Sequence, residues 1–517
     1  MHALSKRAGE SMNQQDETPP SSGETAGESD SVVQASVKKN ALYNILKTLS
    51  TIVFPLITFP YISRVLQPEA VGMVNFGSSI VSYASLIATL GITAYAVREC
   101  AKVRDDREEL GKLASQLISI NICTAAIAYM LLAISLLFAP TLNSYQLLIS
   151  IQSISILFTV LGADWLNTAM EDFRYITLRT FAFQLLSLVM MFLFVHQPEH
   201  YLIYAIIGVI SSSGASVLNI VYRRKFCKTR FTLKMDWKKH FPKIVLLFTM
   251  IVSQTIMNNL DITMLGFIKG DYEVGLYSTA AKLTSIITQV VASVAWVLMP
   301  RLSYQYEHGS TEDANRLINN AFSFTAAVGL PLIVAVNLMA DETILIIGGE
   351  KYLGAVTCCR ILTIYMAMGF MSNIYGNMIL LPTNNEKYFT WTCVAACIFN
   401  AIANAFFIPL FGIEGAAITT GISSTIVTIG THIACRKKTR YRLSNVKSVL
   451  RGPVIGSTAI AIVCILGKVF IPSFILRFIS VVLVSIIAYA VILILAKDSF
   501  AEEMMMPVIR RVAKRRP

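Results

Sequence analysis

The sequence predicts an all-α protein that crosses a lipid bilayer many times. Three observations support this fold class. Of the 517 residues, 55% are hydrophobic and only 15% are charged, whereas roughly a quarter of the residues in a soluble domain carry charge. The mean hydropathy is +0.60. The apolar residues also lie in long blocks between short polar connectors, an arrangement typical of membrane spans and not of one aqueous core.

The apolar blocks have the length of membrane-spanning helices. About 20 apolar residues cross roughly 30 Å of hydrocarbon as a helix. About fourteen blocks approach this length: 41–63, 74–97, 114–138, 145–165, 175–195, 201–221, 243–268, 275–299, 317–339, 355–381, 388–410, 412–435, 452–471 and 474–495. Some contain proline, such as Pro55 and Pro60, which membrane helices tolerate because neighbouring helices satisfy the freed backbone groups.

Basic residues are concentrated in alternate connectors. The net charge is +13, and the longest basic runs cover residues 98–112, 223–243, 436–447 and 497–516. Cytoplasmic connectors carry the excess of Lys and Arg in membrane proteins. We therefore expect these runs and both termini to face the cytoplasm, in a bacterial cell membrane. Anionic lipids, and not nucleic acid, are the predicted partners of these runs.

The pattern divides the chain into lobes, connectors and tails. The predicted parts are a disordered cytoplasmic tail (1–37), an N-terminal six-helix lobe (38–225), a basic cytoplasmic linker (226–242), a C-terminal six-helix lobe (243–436), a basic connector (437–451), two extra transmembrane helices (452–496) and a basic tail (497–517). The first tail is polar and has no apolar segment of the kind found in signal peptides.

The two predicted lobes contain a short internal match. An acidic residue, Val-Gly and a helix rich in small residues occur at Val71-Gly72 and again at Val274-Gly275. Because each half begins on the same side of the membrane, the halves are predicted to be related by an axis along the membrane normal. Lobes related in this way commonly enclose a central cavity and move against each other to give alternating access.

Charged residues inside the apolar blocks are the candidate functional residues, since such residues are costly in hydrocarbon and usually face a cavity or a partner. The cations predicted to line the cavity are Lys47, Arg64, Arg98, Arg179, Lys282 and Arg360. Asn258, Asn259 and Tyr277 are candidates for contacts with sugars. Asp261 is the candidate coupling residue, as a site of protonation or cation binding.

Each of these candidates also has a structural interpretation. Asp261 and Lys282 lie at similar depths on successive helices, so they could form a buried ion pair. Lys47 and Arg179 lie near the cytoplasmic ends of their helices and could extend to the interface. Polar and aromatic residues often serve as contacts between membrane helices. The sequence leaves these alternatives open.

Motifs for covalent chemistry are missing from the sequence. It contains no G-x-x-x-x-G-K-[ST] loop, no H-E-x-x-H and no G-x-S-x-G. The nine cysteines and six histidines do not have zinc-site spacing. We therefore expect a transporter with no catalytic residues, metal or cofactor, driven by an ion gradient or the membrane potential.

Three stretches of the sequence resemble a known family. The opening KNALYNILKTLSTIVFPLITFPYISRVLQPEAVGMVNFGSSIVSYASLIATLGI, the later NNLDITMLGFIKGDYEVGLYSTAAKL and LFGIEGAAITT resemble segments of the polysaccharide (O-antigen or capsule) repeat-unit flippases. These flippases belong to the multidrug/oligosaccharidyl-lipid/polysaccharide (MOP) exporter superfamily. The similarity covers about residues 38–500.

The resemblance implies an architecture and an activity. The architecture is two six-helix lobes in a V, like that of the multidrug (MATE) exporters, with two extra C-terminal helices and a cationic cavity. The activity is the transfer of undecaprenyl-pyrophosphate-linked oligosaccharides from the inner to the outer leaflet of the cytoplasmic membrane. A polysaccharide polymerase and glycosyltransferases are possible partners. The family has no strict signature, so the roles of Asp261 and Lys282 are hypotheses based on charge and depth.

Two other functions fit the same pattern. A lipid II-type flippase or a cation or drug antiporter would use the same scaffold, and a drug antiporter would favour an acidic, aromatic cavity. A membrane glycan polymerase or ligase is the alternative from another class. Such an enzyme is expected to hold its reacting groups in a larger external loop than this sequence provides.

Overall fold

The structure, a computed structural model, describes residues 24–439, 441–443 and 446–496, and within these ranges it is helical with no β-strand. The predicted all-α fold class is therefore confirmed. The N-terminal half contains α1 (Glu24–Thr89), α2 (Ile92–Lys102), α3 (Arg107–Phe138), α4 (Gln146–Gly162), α5 (Asp164–Ala169), α6 (Phe173–Phe194), α7 (Tyr201–Val209) and α8 (Ala215–Tyr222).

The C-terminal half has a similar succession of long helices. It contains α9 (Trp237–Ile268), α10 (Asp271–His308), α11 (Thr311–Leu338), α12 (Ala340–Ile347), α13 (Ala355–Asn373), α14 (Glu386–Lys438), α15 (Val446–Phe470) and α16 (Phe474–Leu495). Short 3₁₀ turns cover Pro140–Tyr145, Pro198–His200, Arg223–Lys225 and Glu350–Tyr352, and π-helical segments cover Ile210–Gly214 and Ile374–Leu380.

The two longest helices are each broken at one residue. Gln67 (φ 66, ψ 171) interrupts α1, and Gly412 (φ 57, ψ −130) interrupts α14. Pro68 explains the first break, because a proline disfavours helical conformation in the residue before it. Glycine explains the second, because it adopts positive φ without a steric cost. Each long helix is therefore two helical segments that meet at a sharp turn.

Ten helices in the described part of the chain are long and apolar enough to cross a membrane. That number treats α1 and α14 as single helices and leaves out α9 and α10, which have 32 and 38 residues. The predicted count of about fourteen spans stays a prediction. The multi-pass character is supported by large apolar side chains that are exposed around the bundle, such as Phe138, Phe470 and Leu410. Such exposure is stable in lipid and unfavourable in water.

The start of α1 corrects one prediction. The sequence predicts a disordered tail over residues 1–37, whereas α1 begins at Glu24. Extending an existing helix costs far less free energy than nucleating one, and no proline interrupts residues 24–54. The helix therefore continues beyond the apolar block. Residues 1–23 and the predicted basic tail at 497–517 lie outside the described residues.

The connectors are shorter than the predicted ranges 226–242 and 437–451. The chain between the lobes runs from residue 226 to 236 because α9 already begins at Trp237. The second connector lies between Lys438 and Val446. The extra C-terminal pair is α15 and α16, which packs on α11 through a cluster that includes Met339, Ile460 and Val481.

The core shows how the two halves meet. One large cluster of buried apolar residues joins them, since it contains Phe76 and Ile149 of the first half and Leu276 and Met366 of the second. Two further clusters lie toward the other end of the bundle, one formed mainly by the first half together with Ile244 of α9 and one within the second half. We call the end with the basic connectors (residues 98–112, 223–243 and 436–447) the basic face. The opposite end, where residues 64–75 meet residues 269–278 and 345–352, is the closed face.

Candidate substrate-translocation site between the lobes

At the closed face, two glycines bring the helix backbones of the lobes into contact. A Cβ atom on Gly72 would lie 1.8 Å from the carbonyl oxygen of Asp271, and one on Gly275 would lie 1.9 Å from the carbonyl oxygen of Pro68. The contact is reciprocal, because each carbonyl belongs to the residue four positions before the other glycine. Gly72 and Gly275 are the matched positions of the sequence repeat. The structure therefore places the two matched positions on each other at the lobe interface.

Polar side chains add to this closure. Asn75 Nδ2 donates to Ser278 Oγ (2.9 Å), Tyr145 Oη to the Asp271 carboxylate (2.7 Å), Lys351 Nζ to Gln67 Oε1 (2.7 Å) and Arg64 Nη2 to the Ile346 carbonyl (2.6 Å). All four bonds join one half of the chain to the other. The lobes are therefore held together at the closed face by both backbone packing and hydrogen bonds.

Arg64 has a clear structural contact. Its guanidinium meets the carbonyls at the C-terminal end of α12, where the partial negative charge of a helix attracts a cation. The sequence predicts Arg64 as a cavity residue. The structure places it in the contact that closes the lobes.

A polar stripe on α10 continues from the closed face toward the basic face. Ser278, Lys282, Ser285 and Gln289 are spaced four, three and four residues apart, so they share one side of the helix. Ser278 contacts Asn75 of the other lobe, which shows that this side faces the lobe interface. Lys282 and Gln289 are exposed. The stripe therefore lies on the side of α10 that faces the other lobe.

Lys282 is the candidate cation best placed for an anionic ligand. It lies one helical turn beyond Ser278 on the stripe and is exposed. No acidic side chain in the described ranges lies within ion-pair distance of its Nζ. An ammonium group on a membrane helix without a carboxylate partner has charge available for a ligand.

Asp261 lies inside the C-terminal lobe and is 4% exposed. Its carboxylate accepts hydrogen bonds from Tyr277 Oη, Asn404 Nδ2 (2.7 Å) and Thr420 Oγ1. These donors come from α10 and from both segments of α14. The described residues give this carboxylate hydrogen-bond donors and no cation. A buried carboxylate that is stabilised only by neutral hydrogen-bond donors is strongly affected when it gains a proton or binds a cation.

The structure rules out an ion pair between Asp261 and Lys282. Tyr277, which binds Asp261, points into the C-terminal lobe, whereas Ser278 and Lys282 point toward the other lobe. Five residues separate Tyr277 from Lys282, which is about 140° around a helix of 3.6 residues per turn. The two candidates therefore lie on different sides of α10. Tyr277 is a ligand of Asp261, and its predicted contact with sugar stays a prediction.

Asn258 and Asn259 differ in their surroundings. Asn258 is exposed on α9, three residues before Asp261. Asn259 Nδ2 donates to the Thr255 carbonyl within the same helix (2.8 Å). One turn farther on, Thr263 Oγ1 donates to Ser79 Oγ (2.9 Å) and joins α9 to α1. The side-chain amide of Asn258 is therefore more accessible to a ligand than that of Asn259.

Arg179 lies in the core of the N-terminal lobe. Its guanidinium donates to Asp164 Oδ1 (2.6 Å) and to Asn219 Oδ1, and the ring of Tyr175 stacks nearby, with its centroid 5.3 Å from the guanidinium carbon. Arg179 is 6% exposed. The sequence leaves two interpretations of Arg179 open, as a residue that lines the cavity or as one that extends to the membrane interface. The structure shows a third arrangement, in which the side chain joins α6 to α8 and α5. A role in substrate binding stays a prediction.

Arg360 belongs to a group of charges that holds the C-terminal helix pair. It forms an ion pair with Asp341 (2.8 Å), which also pairs with Lys468 of α15 (2.8 Å). Next to it, the buried Glu342 pairs with Arg477 of α16 (2.7 Å). These contacts tie α12 and α13 to α15 and α16. The structure does not bring Arg360 together with Lys282, so the two candidates do not form one site in this state.

The two remaining cations occupy different levels of the bundle. Arg98 is exposed on α2 at the basic face. Lys47 is half-buried on α1, and its carbonyl accepts a hydrogen bond from Ser50. Neither side chain forms an ion pair with another of the described residues. Their predicted positions along the cavity stay predictions.

Comparison with protein families shows which family the chain belongs to. Residues 37–306, which is more than half of the chain, match the family model of the polysaccharide biosynthesis proteins. The chain belongs to this family. The match contains the opening segment and the second-half segment that carry the resemblance predicted from the sequence, and it confirms that resemblance.

Curated relatives of this family have transporter and biosynthesis names. A putative O-antigen transporter of Escherichia coli (strain K12) is 24% identical over 413 residues, which covers 76% of this chain and 95% of the relative. The teichuronic acid biosynthesis protein TuaB of Bacillus subtilis (strain 168) is 21% identical and covers 69% of this chain and 74% of the relative. The predicted transporter, as opposed to an enzyme, is confirmed by these relatives.

Solved structures share the fold. The lipid II flippase MurJ in an inward closed conformation superposes with a TM-score of 0.71 at 15% identity, covering 90% of this chain and 100% of that one. An inward-facing MATE-family multidrug transporter of the MOP superfamily gives a TM-score of 0.55 at 15% identity, covering 77% and 94%. The chain therefore shares the fold of these transporters.

Several residues of the candidate site are not predicted by the sequence. Asn404 and Thr420, which bind Asp261, were not among the candidates, and neither were Asn75 and Ser278. A signal was present, since Asn400 and Asn404 are four residues apart in an apolar block and therefore share a helix face. Polar residues repeated at helical spacing inside a span are informative even when they carry no charge.

Proposed function

We propose that this family member moves undecaprenyl-pyrophosphate-linked oligosaccharide repeat units from the inner to the outer leaflet of the bacterial cytoplasmic membrane. The products would serve the synthesis of O-antigen, capsule or another exopolysaccharide. The observation that carries the proposal is the contact between Gly72 and Gly275 beside the polar stripe. The two glycines bring the lobes together at the closed face, and Lys282 and Gln289 are exposed on α10 along the side that carries Ser278.

The chemistry of the stripe suits such a substrate. A pyrophosphate bears negative charge that must be matched when it leaves water. Lys282 supplies an unpaired cation, and Ser285 and Gln289 supply hydrogen-bonding groups that suit sugar hydroxyls. The names of the relatives, among them a putative O-antigen transporter and a lipid II flippase with the same fold, support a lipid-linked glycan as the cargo.

The orientation follows from the distribution of charge. We place the basic face and both termini in the cytoplasm, because short connectors rich in Lys and Arg stay on that side. The closed face is then external. This state would accept substrate from the inner leaflet, and release would require the contact between Gly72 and Gly275 to separate.

Energy for this cycle would come from an ion gradient or the membrane potential. Asp261 is the proposed coupling residue, since a proton or a cation at this buried carboxylate would change the hydrogen bonds that join α9, α10 and α14. Tyr277 transmits that change to α10, the helix that carries Lys282. A polymerase and glycosyltransferases would act after and before the transport step.

A reconstituted flipping assay tests the proposal. The full-length protein in vesicles should expose polyprenyl-pyrophosphate-linked oligosaccharide to an external glycosidase at a rate well above that of empty vesicles. Flipping of lipid II alone would support the first alternative. Uptake of cationic drugs without glycolipid movement would support an antiporter, and glycan lengthening would support a polymerase or ligase. Each of these three results would overturn the proposal.

A further inference from the structure

A concave basic pocket lies on the N-terminal half at the basic face, away from the lobe interface. It has a volume of about 780 Å³ and lies between the start of α3 and the segment at residues 226–234. Its charged lining residues are Arg107, Glu108, Lys112, Arg224, Lys228, Arg230 and Lys234. Six of these seven residues are cations, so the pocket has a strong excess of positive charge.

Four of the cations have no partner among the residues that the structure describes. Lys112 pairs with Glu108 (2.7 Å), and Arg107 donates to the Lys225 carbonyl (3.3 Å). The side chains of Arg224, Lys228, Arg230 and Lys234 are exposed, and no hydrogen bond or ion pair joins them to any of the described residues. Clustered like charges repel one another and favour binding of an anion.

The backbone of the linker is fixed in place against α3. Ser115 Oγ accepts a hydrogen bond from the Arg230 amide (3.0 Å), and Ser119 Oγ accepts one from the Thr232 amide (2.9 Å). A Cβ on Gly111 would lie 3.0 Å from the Lys228 carbonyl oxygen. These contacts hold the non-helical linker close to α3, so its unpaired cations are presented around the pocket by an ordered backbone.

Two exposed apolar side chains of the linker, which do not themselves line the pocket, indicate the kind of anion. Phe231 is 58% exposed and Leu233 is 82% exposed, and they alternate with the cations of the linker. An apolar residue next to Lys and Arg is typical of segments at a membrane surface, where the apolar group enters the acyl boundary and the cation meets the headgroup. A soluble phosphate would not need the apolar pair.

We propose that this pocket binds the headgroup phosphate of an anionic phospholipid. Arg224, Lys228, Arg230 and Lys234 contact the phosphate, and Phe231 with Leu233 contact the acyl chains. The segment that holds the lipid is also the connection between the two lobes. The bound lipid therefore anchors this connection to the membrane surface.

A lipid titration of the purified full-length protein tests the site. In neutral detergent, phosphatidylglycerol should raise the unfolding temperature, and phosphatidylcholine at the same mole fraction should not, because a ligand stabilises the state that binds it. The quadruple variant R224Q/K228Q/R230Q/K234Q should weaken phosphatidylglycerol binding by roughly 600-fold, since each of the four cations near an anionic surface contributes roughly fivefold.

The matched control removes four cations from the same face of the other lobe. R436Q/K437Q/K438Q/K447Q should lose much less phosphatidylglycerol affinity than the pocket variant, because these cations attract anionic lipid only by their general charge. An equal loss in the two quadruple variants would show general charge attraction and would overturn the proposal. An equal shift with inorganic pyrophosphate and no lipid would also overturn it, since the site would then hold a soluble phosphate.

A second variant keeps the test informative if the quadruple variant does not fold. F231S/L233S retains every cation and removes the exposed apolar pair. It should lower phosphatidylglycerol affinity about tenfold, because it removes roughly two large apolar groups from the acyl boundary. Unchanged affinity in F231S/L233S would contradict the lipid assignment.

Discussion

Gly72 and Gly275 pack reciprocally at the interface of the two lobes. Each lies against the carbonyl of the residue four positions before the other, with hypothetical Cβ distances of 1.8 and 1.9 Å to those oxygens. A contact of this kind is what two similar halves produce when they meet across a pseudo-twofold axis. It leaves no space for any side chain, so closure of this face depends on glycine at both positions.

Replacing either glycine should prevent closure. Gly72→Ala or Gly275→Ala adds a methyl group less than 2 Å from a backbone oxygen, which the helices can relieve only by moving apart. We expect loss of polysaccharide export of at least tenfold while the amount of protein in the membrane stays the same. Export in a deletion strain that carries each variant, together with a quantitative blot, measures this.

Gly208 provides the control for these variants. It is also in a membrane helix, and a Cβ there would have no heavy atom within 4 Å. Gly208→Ala should leave export unchanged. Normal export in Gly72→Ala and Gly275→Ala would contradict the view that this face must close.

Lys282 should be required for transport and not for stability. Because it is exposed and has no ion-pair partner among the described residues, Lys282→Ala should change the free energy of unfolding by no more than about 0.5 kcal/mol. We expect export to fall sharply and Lys282→Arg to restore part of it. Lys102→Ala on the basic face is the control, and an export rate in Lys282→Ala equal to that of this control would exclude Lys282 from the site.

Asp261 should couple transport to an ion gradient. Asp261→Asn keeps the size of the side chain but removes its charge, and its new NH₂ group faces the donors Tyr277, Asn404 and Thr420. The variant should fold with a loss of about 1–3 kcal/mol and should transport at a low rate that does not respond to imposed proton or sodium gradients. Vesicle flux with and without each gradient measures this.

The control for Asp261→Asn is Asp236→Asn, which changes an exposed carboxylate just before α9. It should keep the response to the gradient. A gradient response in Asp261→Asn that equals the response of the unmodified protein would remove Asp261 from the coupling mechanism.

The charges around Asp341 should make the C-terminal helix pair sensitive to acid. Partial burial raises the pKa of Asp341, but the hydrogen bond and charge of Lys468 and the charge of Arg360 outweigh it, so the net pKa is below its usual value. A depressed pKa contributes stability above the unfolded pKa of about 3.9. This contribution is lost as the pH falls through the folded value.

We therefore expect the unfolding temperature to fall as the pH is lowered below about 4, and to fall less in Asp341→Asn. Asp105→Asn changes an exposed carboxylate of the basic face and should retain the full pH dependence. Equal pH dependence in Asp341→Asn and the unmodified protein would show that the group of charges does not stabilise the pair.

Much of the fold could be predicted from the sequence because hydrophobic length and the placement of Lys and Arg are local properties. The Val-Gly repeat even located the point of contact at Gly72 and Gly275. The predicted tail was less accurate, since α1 begins at Glu24 and a polar helix is not distinguished from coil by composition alone.

The candidate site was harder to predict because it depends on which side of a helix each residue occupies. Asp261 and Lys282 have similar depths along the membrane, which predicts that they are partners. The contacts of Tyr277 and Ser278 show instead that Asp261 and Lys282 lie on different sides of α10. Arg360 and Arg179 satisfied the criterion of a charge in an apolar block, but each meets an acidic partner on another helix, 19 and 15 residues earlier in the chain. Such partners are known only once the helices are packed.

A reversible cross-link across the closed face tests the central claim most directly. Asn75 and Ser278 are joined by a 2.9 Å hydrogen bond between the lobes, so cysteines at both positions should form a disulfide on oxidation. In vesicles, flipping of the lipid-linked oligosaccharide by the double variant should stop on oxidation and resume after reduction, while each single variant is unaffected despite the nine native cysteines. Undiminished flipping by protein shown to be fully cross-linked would contradict transport by separation of the lobes.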